Sequence, residues 1–200
     1  MENKHFTLYI IGICIVVFIL QLIIPGFTEL FLLNQNPIEF WRFLTSIFLH
    51  GDIIHILYNM LALGIFGSIL ENIIGSRKFI LTFLGTGILA NLIAFNFYPS
   101  SLGASGAIYG VIGALIIIRP TLSVWAFGFP MPLFLAGILW AAGDTLGIFM
   151  PSNVGNIAHL SGLAVGLISG LFLRDWTKKQ KQIININENE IRNWESSWMH

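Results

Sequence analysis

Four residues of this apolar chain could do chemistry together: Ser105, His159, His55 and Asn59. A serine hydroxyl becomes a nucleophile when a neighbouring base takes its proton, and histidine is the side chain that most often serves as that base. Ser105 lies in a Gly-Ala-Ser-Gly motif, and His55 and Asn59, spaced i, i+4, share one helix face. Each also has a simpler interpretation, because serine, histidine and asparagine commonly pack or hydrogen-bond between membrane helices.

The composition is that of a membrane protein. Of the 200 residues, 56% are hydrophobic and only 10% are charged, whereas a soluble domain carries about 25% charged residues. The formal net charge is zero, so no basic surface argues for a nucleic-acid partner. The single cysteine, Cys14, excludes a disulfide within the chain and a metal site built on cysteines. No metal and no cofactor are predicted.

Six apolar stretches predict six transmembrane helices, because about 18 apolar residues without charges suffice to span a bilayer. The first lacks a cleavage pattern at its exit, so it predicts a retained anchor and not a signal peptide. Pro130 and Pro132 interrupt a further apolar stretch, 121–132, which belongs either to the start of the fifth span or to an interfacial segment. The predicted spans cover residues 6–24, 53–70, 79–97, 105–118, 133–150 and 154–173.

The basic residues predict the orientation of this all-α polytopic bundle. With the N-terminus inside, nine of the ten Lys and Arg residues fall on the cytoplasmic side and only Arg42 falls outside. Both termini are therefore predicted to be cytoplasmic. Residues 1–174 form the predicted membrane domain, and residues 175–200 form a polar cytoplasmic tail that is either a surface helix or disordered.

The same alternation brings the four polar residues to one half of the membrane. Spans two, four and six all start outside, and His55, Ser105 and His159 lie in their first turns. Span four is short: its 14 or so residues reach about 21 Å, against about 30 Å of hydrocarbon. Ser105 then lies roughly 10 Å below the outer surface, and the irregular backbone leading to it predicts a water-filled cavity there.

Small residues at every fourth position predict that spans four and six pack closely. Such stripes allow two helix backbones to approach. Ser105 lies beside one stripe and His159 beside the other, so close packing would bring the hydroxyl and the imidazole toward hydrogen-bond reach. The stripes consist of Gly106, Gly110 and Ala114 in span four and of Ala158, Gly162, Gly166 and Gly170 in span six.

Three other polar residues have open or structural interpretations. Glu71 lies at the cytoplasmic end of predicted span two, far from the four candidate site residues. This position favours a structural role in capping or loop bonding. Asp144, in the outer part of span five, is either a member of a buried network or simply solvated near the surface. His50, in the loop before span two, is expected to hydrogen-bond within that loop.

Taken together, these residues resemble the rhomboid intramembrane serine proteases over about residues 41–174. The number of spans resembles the basic bacterial and archaeal form. No catalytic position departs from the family's pattern, which argues against an inactive member. The resemblance is carried, in chain order, by Trp41-Arg42, His55-x-x-x-Asn59, Gly67-x-x-x-Glu71-x-x-x-Gly75, Gly103-x-Ser105-Gly106 with Tyr109, and Ala158-His159-x-x-Gly162-x-x-x-Gly166.

The resemblance implies a Ser-His dyad that needs no carboxylate, and none is obvious in the sequence. Ser105 would be the nucleophile, and His159 the general base and then the acid. Tyr109 would pack on the imidazole, with Gly103 and Gly106 supporting the site. An oxyanion hole would be formed by His55, Asn59 and the backbone amide of Ser105. Span five would act as a lateral gate, and residues 149–155 would cap the site.

The implied substrates are transmembrane helices of single-span membrane proteins, met within membrane lipid. The site would open to the extracytoplasmic side of a prokaryotic cell membrane. A small channel or transporter would use the same cavity, but it predicts charged residues across the whole bilayer. A non-catalytic rhomboid-like protein that binds membrane helices predicts the loss of Ser105 or His159, and both are present. The His-Glu-x-x-His motif of zinc proteases is missing. An aspartyl protease is also disfavoured, because Asp144 has no second intramembrane aspartate as a partner.

Overall fold

The computed structural model describes residues 5–150 and 154–198, and these residues are mostly helical. The predicted helical fold class holds at this coarse level, although two short sheets are added to it. Two parts of the predictions lie outside the described residues: Lys4, which contributes to the predicted orientation, and residues 151–153, which belong to the predicted cap. The helices are α1 (Phe6–Ile23), α2 (Phe27–Phe31), α3 (Arg42–Thr45), α4 (Ile53–Ala62), α5 (Ser68–Ile74), α6 (Ser76–Ala94), α7 (Ser105–Ile118), α8 (Leu133–Gly147) and α9 (Asn156–Trp198).

Four helical segments in the described part of the chain are long and apolar enough to cross a membrane. One of them joins α4 to α5 through a π-helical segment, Leu63–Gly67, so that the helix continues over Ile53–Ile74. Helices α7 and α8 are also apolar but shorter. The four long segments are Phe6–Ile23, Ile53–Ile74, Ser76–Ala94 and Asn156–Lys178.

Helix α7 lies at the centre of the core, with α6 and α9 as its main neighbours. Nine of its 14 residues are buried, a share that only an apolar helix surrounded by others can have. The large side chains of Phe79 and Phe83 from α6 and of Leu115 from α7 are fully buried in this core. Because the core holds α7 on most sides, the position of its first residue, Ser105, is tightly restricted.

The predicted stripes of small residues pack directly against each other. A Cβ atom added at Gly162 would lie 2.0 Å from the carbonyl oxygen of Gly106, and one at Gly166 would lie 2.1 Å from that of Gly110. Real Cβ atoms are never this close to backbone, so only glycine permits the observed spacing of α7 and α9. The prediction of close packing is confirmed.

Residues 121–132 are not the start of the fifth helix, which begins at Leu133, and their interfacial position stays a prediction. Strands β3 (Ser123–Ala126) and β4 (Phe129–Pro132) pair as an antiparallel hairpin. The turn between them has positive φ at both Phe127 and Gly128, as a two-residue hairpin turn requires. Prolines are tolerated here because each strand of a two-stranded sheet is an edge strand.

A second short ladder ties the first loop to the entry of α7. Strand β1 (Leu33–Asn34) pairs antiparallel with β2 (Ser100–Ser101). In the same loop, Arg42 is buried and ion-paired with Glu39, while Trp41 stays exposed. These contacts anchor the chain on both sides of the irregular segment that precedes Ser105.

The remaining helix bounds differ from the predicted spans at the charged ends. Helix α6 starts at Ser76, three residues before the predicted span 79–97, and so includes Arg77 and Lys78. Lys78 stacks its ammonium group over the ring of Trp176 in α9, 3.8 Å from the centroid. Helix α9 continues through the described part of the polar tail, which is helical and not disordered.

Candidate active site

Ser105 is the first residue of α7, and the backbone before it is fixed by glycine geometry and by one hydrogen bond. Gly103 has φ of +126°, which favours glycine, and its amide donates to the carbonyl oxygen of Ser46 at 2.8 Å. A Cβ at Gly103 would lie 2.9 Å from Nε2 of His55 and 3.8 Å from Oγ of Ser105. The hydroxyl and the imidazole thus border one small space that a side chain at position 103 would fill.

His159 lies in the first turns of α9, with its ring held against α7. The Tyr109 ring stacks on the imidazole, with centroids 4.5 Å apart and planes inclined by 8°. Tyr109 is one turn after Ser105 on α7, so the stack places His159 beside the start of that helix. Among the described residues, no hydrogen bond joins Ser105 Oγ to the His159 ring.

A carboxylate holds the other edge of this ring. Nδ1 of His159 lies 2.9 Å from Oδ1 of Asp144 on α8, and both side chains are largely buried. An ionised carboxylate only accepts hydrogen bonds, so Nδ1 must donate to it. A neutral His159 then carries its proton on Nδ1 and leaves Nε2 as an acceptor, which is the state of a general base.

His55 has the opposite arrangement. The backbone amide of Gly51 donates to its Nδ1 at 3.3 Å, so a neutral His55 carries its proton on Nε2, the nitrogen that faces the space at Gly103. The aspartate that caps α4, Asp52, accepts from the His55 amide at 2.8 Å and fixes this first turn. His55 therefore presents a donor to the same space that Ser105 borders.

Asn59 follows one turn later on α4 and is buried. Its Nδ2 donates to the carbonyl oxygen of His55 at 2.8 Å, which uses one of its two amide protons. The second proton remains for another acceptor. Gly106 has a packing role beside these groups, because a Cβ there would meet Ala90 at 3.0 Å and the Ala158 carbonyl at 3.5 Å.

His50 lies in the loop before α4 with its side chain buried. Both ring nitrogens are buried and have no hydrogen-bond partner in the described part of the chain. Its backbone is held instead by Gln21, whose side chain bonds the His50 amide at 3.0 Å and its carbonyl at 3.1 Å. Burial, and then the nearby His55, lower the pKa of His50 to about 4 although the Phe48 backbone opposes the shift.

A cavity of about 170 Å³ opens close to His159, between the ends of α6 and α8 and the start of α9. It is lined mainly by apolar and aromatic side chains together with Asn156, and neither Ser105 nor His159 is part of its wall. Its lining includes Phe97, Tyr98, Gly147, Ile148, Met150 and Ile157.

Comparison with known proteins shows which family the chain belongs to. A sequence model of the rhomboid domain matches residues 37–176. The match covers more than half of the chain and includes all the site residues described above. The chain belongs to the rhomboid family.

Several curated relatives of this rhomboid are named as proteases, and others are named only as rhomboid or rhomboid-like proteins. The rhomboid protease GlpG of Haemophilus influenzae is 30% identical over an alignment of 183 positions, which covers 84% of this chain and 91% of GlpG. The rhomboid protease GluP of Bacillus subtilis is 36% identical over an alignment of 141 positions, which covers 68% of this chain and 26% of GluP. The putative rhomboid protease YdcA of the same species is 32% identical over an alignment of 136 positions, which covers 65% of each chain.

Family and composition agree on the coarse class: an integral membrane protein of a family of proteases that act on membrane proteins. The share of a relative that the chain covers varies widely. The chain spans about a quarter of the length of GluP, 43% of the mitochondrial Rhomboid protein 1 of yeast and most of GlpG.

The sequence left the role of Asp144 in this rhomboid open. No carboxylate partner of His159 was obvious from the sequence, yet Asp144 lies 2.9 Å from its ring. A signal was available, because the sequence predicts Asp144 in the outer part of span five, in the same half of the membrane as Ser105 and His159. What the sequence lacks is the rotation of α8, which determines whether that side chain faces lipid or the neighbouring helices.

Proposed function

We propose that this rhomboid is an intramembrane serine protease that cleaves peptide bonds in or near transmembrane helices through an acyl-enzyme. One observation carries the proposal: the His159 ring is stacked on Tyr109 and engaged at Nδ1, beside the helix that begins with Ser105. A histidine used only for packing needs no fixed tautomer. A general base does, because its other nitrogen must be free to take a proton.

In the first step, Ser105 Oγ attacks the carbonyl carbon of the scissile peptide bond and its proton passes to Nε2 of His159. The π electrons of the carbonyl move to its oxygen, which becomes an oxyanion. Donors for that charge are the Nε2–H of His55, the free amide proton of Asn59 and the backbone N–H of Ser105. The space at Gly103, bordered by His55 and Ser105, is the position we assign to the reacting carbonyl.

In the second step, the carbon–nitrogen bond breaks and imidazolium Nε2–H gives its proton to the leaving amine. The acyl group stays on Ser105 as an ester. A water molecule then attacks this ester while His159 takes its proton, and the carboxylic acid product leaves as Ser105 recovers its hydrogen. Water has to reach the site from the outer half of the membrane, which the short helix α7 would leave open.

The proposed topology has six spans, with α7 and α8 added to the four longer apolar helices. Helix α7 has 14 residues and reaches about 21 Å, so it can lie in the bundle without touching both surfaces. Basic residues put both termini in the cytoplasm and the site toward the extracytoplasmic side of a prokaryotic cell membrane. The membrane domain then covers residues 1–174, and the polar tail follows.

Substrates would be transmembrane helices of single-span membrane proteins, entering from lipid past α8. The outward face of α8 and the residues that follow it are apolar and exposed, which suits contact with lipid and with an incoming helix. Phe149 and Met150 belong to this surface, with 82% and 64% of their area exposed. A substrate helix must unwind locally before its peptide bonds can be reached, because its backbone is hydrogen-bonded.

The test is cleavage of a single-span reporter protein by the purified chain in lipid vesicles. We expect Ser105→Ala and His159→Ala each to reduce the rate by at least about 1,000-fold. Ser101→Ala, at a nearby half-exposed serine of β2, is the matched control and should keep the parental rate. Parental cleavage by Ser105→Ala would remove the nucleophile assignment. A wild-type chain that binds the reporter without cleaving it would favour the non-catalytic alternative.

A further inference from the structure

Asp144 is a buried carboxylate whose two oxygens differ in how closely they are bonded. Its Oδ1 lies 2.9 Å from Nδ1 of His159, whereas Oδ2 is buried and has no partner at hydrogen-bond distance within residues 5–150 and 154–198. Its neighbour Thr145 bonds the carbonyl oxygen of Ala141 in its own helix instead. The Tyr109 hydroxyl also interacts with the carboxylate, so Asp144 acts on both rings of the stacked pair.

This pattern differs from that of a carboxylate retained for stability. Removing a carboxylate from water costs several kcal/mol, and the fold recovers this only when both oxygens are well bonded. An oxygen left without a partner in a buried site is a cost that an apolar residue at position 144 would avoid. The geometry is therefore better explained by what the carboxylate does to His159 than by what it contributes to folding.

We propose that Asp144 is a positioning residue for His159, an inference that rests on the proposed protease function. Its carboxylate accepts the Nδ1–H of His159 and so holds the tautomer in which Nε2 can take the proton of Ser105. When the imidazolium forms, Asp144 supplies the opposite charge on its far edge and is not itself protonated. The dyad implied by the resemblance becomes, in this chain, a set of three side chains on α7, α8 and α9.

Two substitutions at position 144 separate this role from a structural one. In Asp144→Asn the Tyr109 hydroxyl, which interacts with this carboxylate, can donate to the amide oxygen and so turn the amide nitrogen toward Nδ1. Nδ1 then accepts, the ring proton moves to Nε2, and the base loses its function. Asp144→Ala leaves the tautomer free and so impairs the base less. We expect Asp144→Asn to lower kcat by about 100-fold or more and to be slower than Asp144→Ala, with KM within about twofold in both. A purely structural role predicts the reverse order, because asparagine is nearly isosteric with aspartate.

The tautomer itself can be measured by ¹⁵N NMR on the full chain with labelled histidine, using His159→Ala to assign the signal. At a pH where His159 is neutral, wild type should show a protonated Nδ1 and an unprotonated Nε2, and Asp144→Asn should show the reverse. This readout on the wild type does not depend on how well a variant folds. An unprotonated Nδ1 in the neutral wild-type ring would overturn the proposal.

Controls distinguish failure of this inference from failure of the proposed function. Thr145→Ala, one residue along α8 and outside the site, should match wild type in kcat. If the wild type cleaves in a manner that depends on Ser105 and Asp144→Asn is equally fast, the role of Asp144 is wrong and the protease function stands. If cleavage does not depend on Ser105, the proposed function fails whatever Asp144 does.

Discussion

Two buried polar clusters lie at opposite ends of the helical segment Ile53–Ile74, and they differ in how fully their groups are bonded. At the Ile74 end, which the sequence predicts to be cytoplasmic (the inner cluster), Glu71 accepts from the Phe6 amide at 2.8 Å, the Thr7 amide at 2.9 Å and the Thr7 hydroxyl at 2.7 Å. Both carboxylate oxygens are used, and the first turn of α1 is capped. At the Ile53 end (the outer cluster), Asp144 Oδ2 and both ring nitrogens of His50 have no partner at hydrogen-bond distance among the described residues.

On the proposed function, this difference separates groups that stabilise the fold from groups that take part in or support the reaction. A buried polar group whose bonds are all made contributes about 0.5–3 kcal/mol to stability, and one left unpaired costs a similar amount. In the proposed mechanism, the donors of His55 and Asn59 beside the outer cluster stay free for the substrate, and Asp144 acts on His159. Substitutions at Glu71 should therefore change stability, substitutions at His55, Asn59 and Asp144 should change the rate, and His50 has no role in that mechanism.

Among the substitutions that test this contrast, those of the proposed oxyanion donors His55 and Asn59 should have the largest effect on the rate. His55→Ala should lower kcat by about 100-fold or more, and Asn59→Ala should lower it by a comparable or smaller factor, because a donor to the developing oxyanion is lost. Rates on the reporter protein and the unfolding midpoint measure both sides of the contrast. Tyr58→Phe, an exposed residue between them, is the control. Loss of folding with an unchanged rate per folded molecule would give these residues the packing role instead.

Glu71→Ala should have the next largest effect and should act on stability alone. Three donors at the start of α1 lose their acceptor, so we expect the free energy of unfolding to fall by about 3 kcal/mol. Denaturant titration in detergent measures this change. Glu188→Ala, at an exposed site on α9, should change it little. A large drop in kcat for the folded Glu71→Ala protein would erase the distinction between the two clusters.

Gly162→Ala tests the packing that joins α7 to α9. The new Cβ would overlap the Gly106 carbonyl, so the helices must separate, at a cost of about 2 kcal/mol in stability. Because the same packing places His159 beside the start of α7, the rate should fall as well. Gly85→Ala on α6 meets no atom within 4 Å, so it should leave the rate unchanged and keep or slightly raise stability through helix propensity. Equal behaviour of the two variants would contradict the role of the glycine stripe.

The smallest predicted effect is a pH dependence of stability that comes from His50. Its pKa is lowered in the fold to about 4, so the unfolded chain takes up a proton first as the pH falls. Stability is complete above about pH 6.5 and is lost progressively below it, by about 1 kcal/mol between about pH 7 and about pH 5.5. His50→Gln should flatten this part of the curve in denaturant titrations at several pH values. An unchanged curve would show that His50 is not the group responsible.

The sequence predicted those features that follow from pattern and parity along the chain. Helix α7 has the predicted bounds, because Gly103 with its positive φ precedes it and Arg119-Pro120 follows it. The hairpin at residues 123–132 was not predicted, because bulky apolar residues on both strand faces concealed the alternation. Asp144 was left open for a different reason: whether a side chain on a lipid-facing helix turns inward depends on tertiary packing that no local pattern encodes.

The most direct measurement of the central claim is covalent labelling of the active chain by a fluorophosphonate probe, with the modified peptide identified by mass spectrometry. Such probes react with serines whose hydroxyl is activated by a base. We predict modification of Ser105 in the wild type, none in Ser105→Ala, and strongly reduced modification in His159→Ala. Labelling of a different serine, or of no serine in protein that cleaves the reporter, would contradict the claim that Ser105 and His159 form the catalytic pair.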